Sequence, residues 1–463
     1  MTHILTRDRS YYRSLVTLAI PVAAQGLIAF LASFADNLMV SSLGDAAVSG
    51  VYFASQINVL LQMFTSGIGG VILILSAQYW GKKDTGNIKR IIAIGMRIAL
   101  AVGAVLTTLC LLFPHAIIGV FTTDPDSARE AVVYLRTVCF SYLFFCVTQA
   151  LLCSMRAVET PSIGMMISLV SLCFDIALNA LFIYGLKWGV FGAALSTVIA
   201  RVAETTTIAL YVFLRDKKLQ LRISDLRRFD RVLFGDYVRY GLPLIAGEVV
   251  WSVNMMVNSI IFGRFFDASV ATAVSIANTM ATLAYIAISG LGSAMGIITG
   301  KTVGAGKYEL MKEYARTTQV IFLFVGLLSG ALVAVLNGPF VGLYAGALGG
   351  GISGAAAKEA GLLIAVLSVT VIGTGYQMPC LFGLVKSGGD ISFVFKNDTI
   401  FVFCVVLPSA LIAAWLGAPA WVVFACLKSD QIFKCFVAVV KINRFRWMKN
   451  LTRAGGAEAV ESA

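Results

Sequence analysis

Two carboxylates and one amide lie inside long apolar stretches of the sequence, where polar groups are rare. Asp36 falls near the end of the first apolar stretch, and Asp175 and Asn179 lie one helical turn apart in the fifth. In a helix, Ser168, Ser171, Asp175 and Asn179 share one face because they are spaced by three or four positions. An ionisable side chain at the bilayer centre costs at least ~2.5–3.5 kcal/mol, so it usually faces a cavity or a partner. Carboxylates in such a place can bind and release a proton or a small cation.

A second polar stripe occurs in the sixth apolar stretch, where Thr197, Arg201 and Glu204 follow one another at helical spacing. Oppositely charged side chains three positions apart meet on a helix surface. We therefore interpret Arg201 and Glu204 as a structural ion pair that holds helices together. For Asp36 an alternative stays open, namely a helix-end residue at the membrane interface that takes no part in chemistry.

The second half of the chain offers Glu248, which follows Pro243 within about one and a half helical turns. This carboxylate either caps or pairs within a distorted helix, or it faces a cavity. Because an unpaired buried carboxylate is costly and can be protonated, we place Glu248 among the candidate ion-binding residues.

Further side chains on the same inward faces are candidates for contact with a small molecule. Methionine and tyrosine side chains accept flat organic cations by stacking and cation–π contact, although a lone residue of either type is more often simple packing. The predicted cavity residues are Gln56, Met63, Met255, Asn278, Tyr285 and Gln377.

Two motifs typical of enzymes are incomplete in this sequence. The segment GIITGKT, from Gly296 to Thr302, has one residue too few between its glycines for a phosphate-binding loop. The two histidines, His3 and His115, lie near no clustered carboxylate or thiol, and the cysteines form no CxxC pair. We expect no enzyme, no cofactor and no metal other than Na⁺ at the candidate carboxylates.

Membrane helices must position these side chains. Hydrophobic residues make up 59% of 463 positions and charged residues 13%, against about 45–50% and about 25% in soluble domains. Apolar runs of about 20 residues can cross the roughly 30 Å hydrocarbon core as helices. The sequence therefore predicts an all-α polytopic membrane protein with twelve transmembrane helices. The predicted spans are residues 13–41, 48–79, 91–113, 130–155, 162–185, 189–214, 236–263, 269–300, 314–337, 357–385, 391–416 and 419–441.

The hydrophobic pattern runs through the chain twice. Pro21 recurs as Pro243, and Gly81 recurs as Gly304 with the offset longer by a single position. Six helices per repeat is an even number, so the two repeats are parallel. The predicted organisation is an N-terminal six-helix lobe at 1–214, a cytoplasmic linker at 215–235, and a C-terminal six-helix lobe with a cytoplasmic tail at 236–463.

Lysine and arginine residues cluster in alternate loops, and the 215–235 linker alone carries seven of them. The positive-inside rule then places both termini in the cytoplasm and the protein in the cell membrane. The net charge of +12 is a topology signal, since the charges are not gathered on one soluble face, and we expect no nucleic-acid partner.

Several stretches together resemble the multidrug and toxic compound extrusion (MATE) family. They are FADNLMVSSLGDAAVSG around Asp36, AQYWGKKD, DIALNALFIYG followed by GVFGAALSTVIAR, and the segments around Pro21 and Pro243. Their order and duplication extend the resemblance over residues 11–453. The resemblance implies a V-shaped, two-lobe antiporter that exports cationic amphipathic compounds in exchange for H⁺ or Na⁺. We expect a monomer whose partners are small cationic molecules and the lipid bilayer.

The resemblance also implies roles for single residues. Asp36 matches the first-helix carboxylate that such transporters protonate or use to bind Na⁺, and Thr197 matches a polar partner in the sixth helix. Many bacterial members have Asn followed one turn later by Asp, whereas here Asp175 precedes Asn179, which moves the charge by about one turn, ~5.4 Å. With Glu248 as a second-lobe counterpart, these five residues form the predicted coupling site.

A flippase of lipid-linked or other amphipathic molecules, from the same broad superfamily, is the alternative function. A larger basic cavity and additional helices would favour it. The inward-facing charge of this sequence is mainly acidic.

Overall fold

The computed structural model describes residues 5–122, 124–227, 230–346 and 353–453. All regular structure in these residues is helical, which confirms the all-α class. The α-helices are α1 (Arg9–Ser41), α2 (Asp45–Gly81), α3 (Thr85–Leu112), α4 (Pro114–Gly119), α5 (Pro125–Val138), α6 (Ser141–Ala157), α7 (Pro161–Asn179), α8 (Gly189–Leu210), α9 (Ile223–Arg227), α10 (Arg231–Phe265), α11 (Ala268–Gly304), α12 (Tyr308–Gly346), α13 (Gly354–Met378), α14 (Ile391–Ile400), α15 (Leu407–Trp415), α16 (Ala420–Leu427) and α17 (Asp430–Asn443).

Four of these helices continue directly into π-helical segments, which follow α7, α8, α13 and α14. The segments are Ala180–Gly185, Tyr211–Arg215, Pro379–Lys386 and Phe401–Val406. Such wider turns often occur at functional sites. Here the first of them begins directly after Asn179.

Each predicted span coincides with helical structure. Among the described residues, ten helical segments are long and apolar enough to cross a membrane. The pair α5 and α6, bent by 53° at the break between them, makes an eleventh when it is counted as one span. The predicted span 419–441 is interrupted at residues 428–429, between α16 and α17, so neither piece alone has the length of a crossing. The GIITGKT segment lies inside α11, as a helix and not as a phosphate-binding loop.

Backbone conformation confirms the internal repeat. Left-handed φ angles occur at Lys83 (61°) and at Gly306 (74°), which are separated by the same offset as Gly81 and Gly304. They occur again at Glu159 (58°) and Gly389 (107°). Lys187 (56°) and Gly417 (72°) form a third pair, with the same separation as the second. Since few residues other than glycine adopt positive φ, three matched pairs mark the same turns in both repeats.

The chain packs into two compact units whose borders cut through two helices. One unit contains residues 24–245 and the other contains residues 1–23 together with 246–463; we call them the 24–245 unit and the 246–463 unit. Each border falls just after the repeated proline, Pro21 in α1 and Pro243 in α10. These borders differ from the predicted lobes at 1–214 and 236–463, because the first part of each helix joins the unit of the other repeat.

The 24–245 unit contains most of the basic linker. The Lys89 ammonium on α3 lies 3.1 Å from the Asp225 carboxylate, and Arg90 lies 3.1 Å from Asp230. On the first part of α10, the Tyr237 hydroxyl donates to the Ile68 carbonyl at 2.7 Å. Polar side chains of distant segments thus pair with one another, and the linker packs as part of this unit.

In the 246–463 unit, the first part of α1 is held by α12. The hydroxyls of Tyr11 and Thr318 lie 2.6 Å apart, and Tyr314 donates to the Asp8 carboxylate at 2.5 Å. An apolar core of this unit gathers side chains from α10, α11, α13, α15 and α16, with Ile288, Leu363 and Val423 fully buried.

The C-terminal segment closes over the turn between α13 and α14. The backbone N–H of Lys449 donates to the Gly388 carbonyl at 2.7 Å, and the Trp447 side chain is fully buried. Lys441 and Lys449 contact the Asp390 carboxylate at 2.6 and 2.8 Å. Burial alone would raise the pKa of Asp390, but the hydrogen bonds from these two lysines hold that pKa below its usual value.

Candidate functional site

A direct hydrogen bond joins Asp36 to Asn179. The Asn179 side-chain nitrogen donates to Asp36 Oδ1 at 2.8 Å, and the Ser196 hydroxyl donates to Asn179 Oδ1 at 2.6 Å. Asn179 is 2% exposed, so its amide needs partners for both its donor and its acceptor atoms. The chain of hydrogen bonds holds α1, α7 and α8 together at one point of the 24–245 unit.

Asp175 lies beside Asp36, close enough for the two carboxyl groups to interact with each other. Asp175 is 8% exposed, and among the described residues its Oδ1 has no hydrogen-bond partner. Two ionised carboxylates this close repel each other unless a proton or a cation lies between them. The pair is therefore suited to hold one proton or one small cation.

Arg201 brings a positive charge to the same place. Its Nη1 donates to Glu204 Oε2 at 2.8 Å, and its guanidinium carbon lies 4.9 Å from the Phe145 ring centroid. Arg201 also acts electrostatically on Asp36 and Asp175. With three carboxylates and one guanidinium, this group of side chains is net negative when all are ionised.

Tyr134 on α5 belongs to this group, and sequence analysis did not identify it. Tyr134 interacts with Thr197 and, electrostatically, with Asp36, and the residue is 8% exposed. The Thr197 hydroxyl also donates to the Ala193 carbonyl at 3.1 Å. A single tyrosine on an amphipathic helix gives no functional signal, because most such residues only pack.

We call these eight residues the Asp36 cluster. It combines Asp36, Asp175, Asn179, Thr197, Arg201 and Glu204 with Tyr134 and Ser196, which the sequence did not indicate.

Glu248 belongs to the other unit, 246–463. It lies half-buried on α10 and interacts electrostatically with Lys386 and Asp398. The five predicted coupling residues therefore fall into a group of four in one unit and a single carboxylate in the other.

Four of the predicted cavity residues differ in exposure. Gln56 and Met63 lie half-buried on α2 in the 24–245 unit. Met255 on α10 is half-buried and Asn278 on α11 is exposed, both in the 246–463 unit. Their joint lining of one cavity stays a prediction.

Tyr285 and Gln377 already have protein partners. Tyr285 packs against the apolar core of the 246–463 unit. Gln377 is 5% exposed, and its side-chain nitrogen donates to Gln431 Oε1 at 2.8 Å. A role in binding a small molecule stays a prediction for both residues, and for Gln377 it requires an exchange of this hydrogen bond.

A second buried charged group lies in the 246–463 unit, and sequence analysis missed it. The Lys434 ammonium contacts Asp398 Oδ1 at 2.8 Å and Asp430 Oδ2 at 3.0 Å. Asp398 and Lys434 lie on different helices, far apart in the sequence, so no helical spacing connects them. Among the described residues no group of three or more His, Cys, Asp and Glu side chains is arranged to hold a metal ion.

Comparison with known proteins identifies the family. The MatE family model matches residues 21–181 and 243–411, so each matched segment begins at one of the repeated prolines. The chain belongs to the MatE family. The resemblance noted in the sequence is thereby confirmed, and the family is one of membrane transporters rather than enzymes.

Individual relatives agree with this assignment. A probable multidrug resistance protein, YoeA of Bacillus subtilis (strain 168), is 24% identical over 348 residues, which are 72% of this chain and 74% of the relative. The crystal structure of a MATE protein in complex with MaL6 superposes with a TM-score of 0.85 at 18% identity, covering 94% of this chain and 97% of that one. A MOP superfamily transporter from Pyrococcus furiosus Vc1, described as having a binding pocket of reverse polarity, gives 0.84 at 18% identity over 96% and 99%. The two structural likenesses support the two-lobe fold alone.

Proposed function

We propose that this MatE family member is a secondary active antiporter for multidrug efflux, which exports cationic amphipathic compounds across the cell membrane in exchange for H⁺. The observation that carries the proposal is the neighbouring carboxyls of half-buried Asp36 and buried Asp175, with the amide of Asn179 bonded to Asp36 at 2.8 Å.

The charge of the Asp36 cluster supports a cationic substrate. Three carboxylates face one guanidinium, and the unpaired Oδ1 of Asp175 is a free acceptor among the described residues. Buried negative charge lowers the energy of a positive ligand and of a proton alike, while it repels anions. A drug cation and a coupling ion therefore compete for the same carboxylates.

The coupling ion that we favour is H⁺, with Na⁺ as the alternative outcome. One proton on either carboxyl group removes the repulsion between two neighbouring carboxylates, and it needs no further ligands. A Na⁺ ion would instead need several oxygen ligands, and it would have to displace the Asn179 N–H donor from Asp36.

Exchange follows from this competition. When the outside is acidic, a proton binds the Asp36–Asp175 pair, neutralises part of the cluster and releases the cationic substrate. When the site opens to the cytoplasm the proton leaves and the restored charge binds the next substrate. Alternating access to one site, with mutually exclusive ligands, is sufficient for antiport.

The orientation proposed with this function places both termini and the 215–235 linker in the cytoplasm, with the protein acting as a monomer in the cell membrane. Its support is the concentration of lysine and arginine in alternate loops.

Two measurements test the proposal together. In a host that lacks its own pumps, expression should raise resistance to cationic amphipathic drugs and leave resistance to anionic drugs unchanged. In proteoliposomes, a pH gradient without Na⁺ should drive uptake of a fluorescent cation, whereas a Na⁺ gradient at equal pH should not. Transport driven only by Na⁺ would overturn H⁺ coupling, and movement of lipid-linked molecules without cation transport would favour a flippase.

A further inference from the structure

The charged group around Lys434 has the geometry of a filled cation site. Its ammonium lies between two carboxylates from different helices, Asp398 of α14 at 2.8 Å and Asp430 of α17 at 3.0 Å. The exposed side-chain fractions of Lys434, Asp430 and Asp398 are 8%, 10% and 20%. Carboxylates this close in a protein interior need a cation between them, because their repulsion is weakly screened.

Neighbouring polar side chains hold the Asp430 carboxylate in position. The Gln431 side-chain nitrogen donates to both oxygens of Asp430, at 2.9 and 3.0 Å. Gln431 Oε1 in turn accepts from Thr374 at 3.0 Å and from Gln377 at 2.8 Å. The carboxylate is thus fixed by a hydrogen-bonded network that does not depend on Lys434 itself.

The other repeat carries different chemistry at matching positions. The sequence offset that relates the left-handed turn residues Lys187 and Gly417 also relates Glu204 to Lys434, and Ser168 to Asp398. Where the 24–245 unit has a carboxylate and a hydroxyl, the 246–463 unit has an ammonium and a carboxylate. The residues around Lys434 therefore do not repeat the chemistry of the Asp36 cluster.

We propose that Asp398 and Asp430 form a monovalent-cation site that the chain fills with its own Lys434 ammonium. The tethered cation bridges the two carboxylates permanently and occupies the position between them, so no exchangeable ion binds there in the natural protein. Removal of the ammonium leaves the two carboxylates without the cation that bridges them, and a free monovalent cation such as Na⁺ then takes its place. This inference goes beyond the proposed function, since it concerns the other unit and requires no transport.

The test is the thermal unfolding of purified protein at mildly alkaline pH in NaCl or in choline chloride of equal ionic strength. Lys434→Met removes the charge and keeps the length of the side chain. In choline chloride it should unfold at a lower temperature than the wild type, and Na⁺ at about ten times its dissociation constant should raise its midpoint by roughly 2–4 °C beyond any Na⁺ response of the wild type. Lys434→Arg, which keeps the cation, and Lys396→Met, which removes an exposed lysine of α14, should show no such additional response.

Adding Asp398→Asn or Asp430→Asn to Lys434→Met should abolish the Na⁺ response, because one carboxylate of the pair is then gone. The proposal is overturned if Lys434→Met shows no additional Na⁺ response, or if that response survives either added change. If Lys434→Met is not recovered folded, the triple variant Lys434→Met, Asp398→Asn, Asp430→Asn decides. If the triple variant is recovered folded, the failure of Lys434→Met was caused by the two carboxylates left without their cation, which supports the proposal. If the triple variant is not recovered folded either, Lys434 acts by packing and the proposal is overturned. Unfolding is measured without transport, so failure of H⁺-coupled efflux and failure of this site are separate results.

Discussion

The order of Asp175 and Asn179 on α7 can be tested by exchanging the two residues. Asp175→Asn removes one carboxylate of the pair while preserving its shape, and Asn179→Ala removes the amide that bonds Asp36 at 2.8 Å. In the exchanged protein, Asp175→Asn combined with Asn179→Asp, one carboxylate and one amide still face the same cluster. The charge moves by about one helical turn, ~5.4 Å.

The expected size of each effect follows from the contacts. Two unit charges about 4 Å apart interact by about 4 kcal/mol at an effective dielectric constant near 20. Loss of the Asp175 charge should therefore weaken cation binding at Asp36 by up to about a thousandfold. Loss of a hydrogen bond to a charged group costs about 1.5–3 kcal/mol. Asn179→Ala should therefore change the cation affinity of Asp36 less, by about ten- to a hundredfold.

The assay is initial-rate uptake of a fluorescent cation into proteoliposomes at several pH gradients. We expect Asp175→Asn to reduce coupled transport more than Asn179→Ala does, and the exchanged protein to recover part of the rate. Each variant should elute as a folded protein in size-exclusion chromatography. Full transport by Asp175→Asn with an unchanged pH profile would refute the reasoning and make that carboxylate structural.

Other predictions concern packing, pH and topology. A Cβ at Gly388 would overlap the Trp447 ring, so Gly388→Ala should destabilise the protein by about 1–3 kcal/mol, and an unchanged unfolding midpoint would contradict the C-terminal closure. The pKa of Asp390 is depressed in the folded protein, so ionised Asp390 stabilises the fold above about pH 4, and this stabilisation is lost as the pH falls through the lower folded pKa. In a plot of the unfolding midpoint against pH, Asp390→Asn should remove this acid-dependent loss. Cysteines placed at the exposed positions Asp126 and Lys217, in a background without native cysteines, should react with membrane-impermeant reagents from opposite sides, whereas labelling from the same side would contradict the predicted orientation.

Much of the architecture could be predicted from hydropathy and duplication. Apolar runs located the helical spans, although the last of them, 419–441, is divided between α16 and α17. The offset between Pro21 and Pro243 identified the repeat. The exchange of the first parts of α1 and α10 between units could not be predicted, because hydropathy along a helix does not tell which unit each half packs against.

The Asp36 cluster was predictable in part, because helical spacing aligns Asp175 with Asn179 and Thr197 with Arg201. Spacing along one helix gives no distance to another helix, so the bond between Asn179 and Asp36 required the structure. For the same reason the contact of Lys434 with Asp398 on another helix was not predicted.

The central claim is that the Asp36 carboxylate binds the coupling proton in competition with a cationic substrate. The direct measurement is substrate-induced proton release from purified protein in weakly buffered detergent solution, for the wild type and for Asp36→Asn. Our account predicts that a cationic substrate releases protons from the wild type at a stoichiometry that changes with pH, and that Asp36→Asn, although folded, releases none. Equal proton release by Asp36→Asn, or substrate binding by the wild type without proton release at any pH, would contradict it.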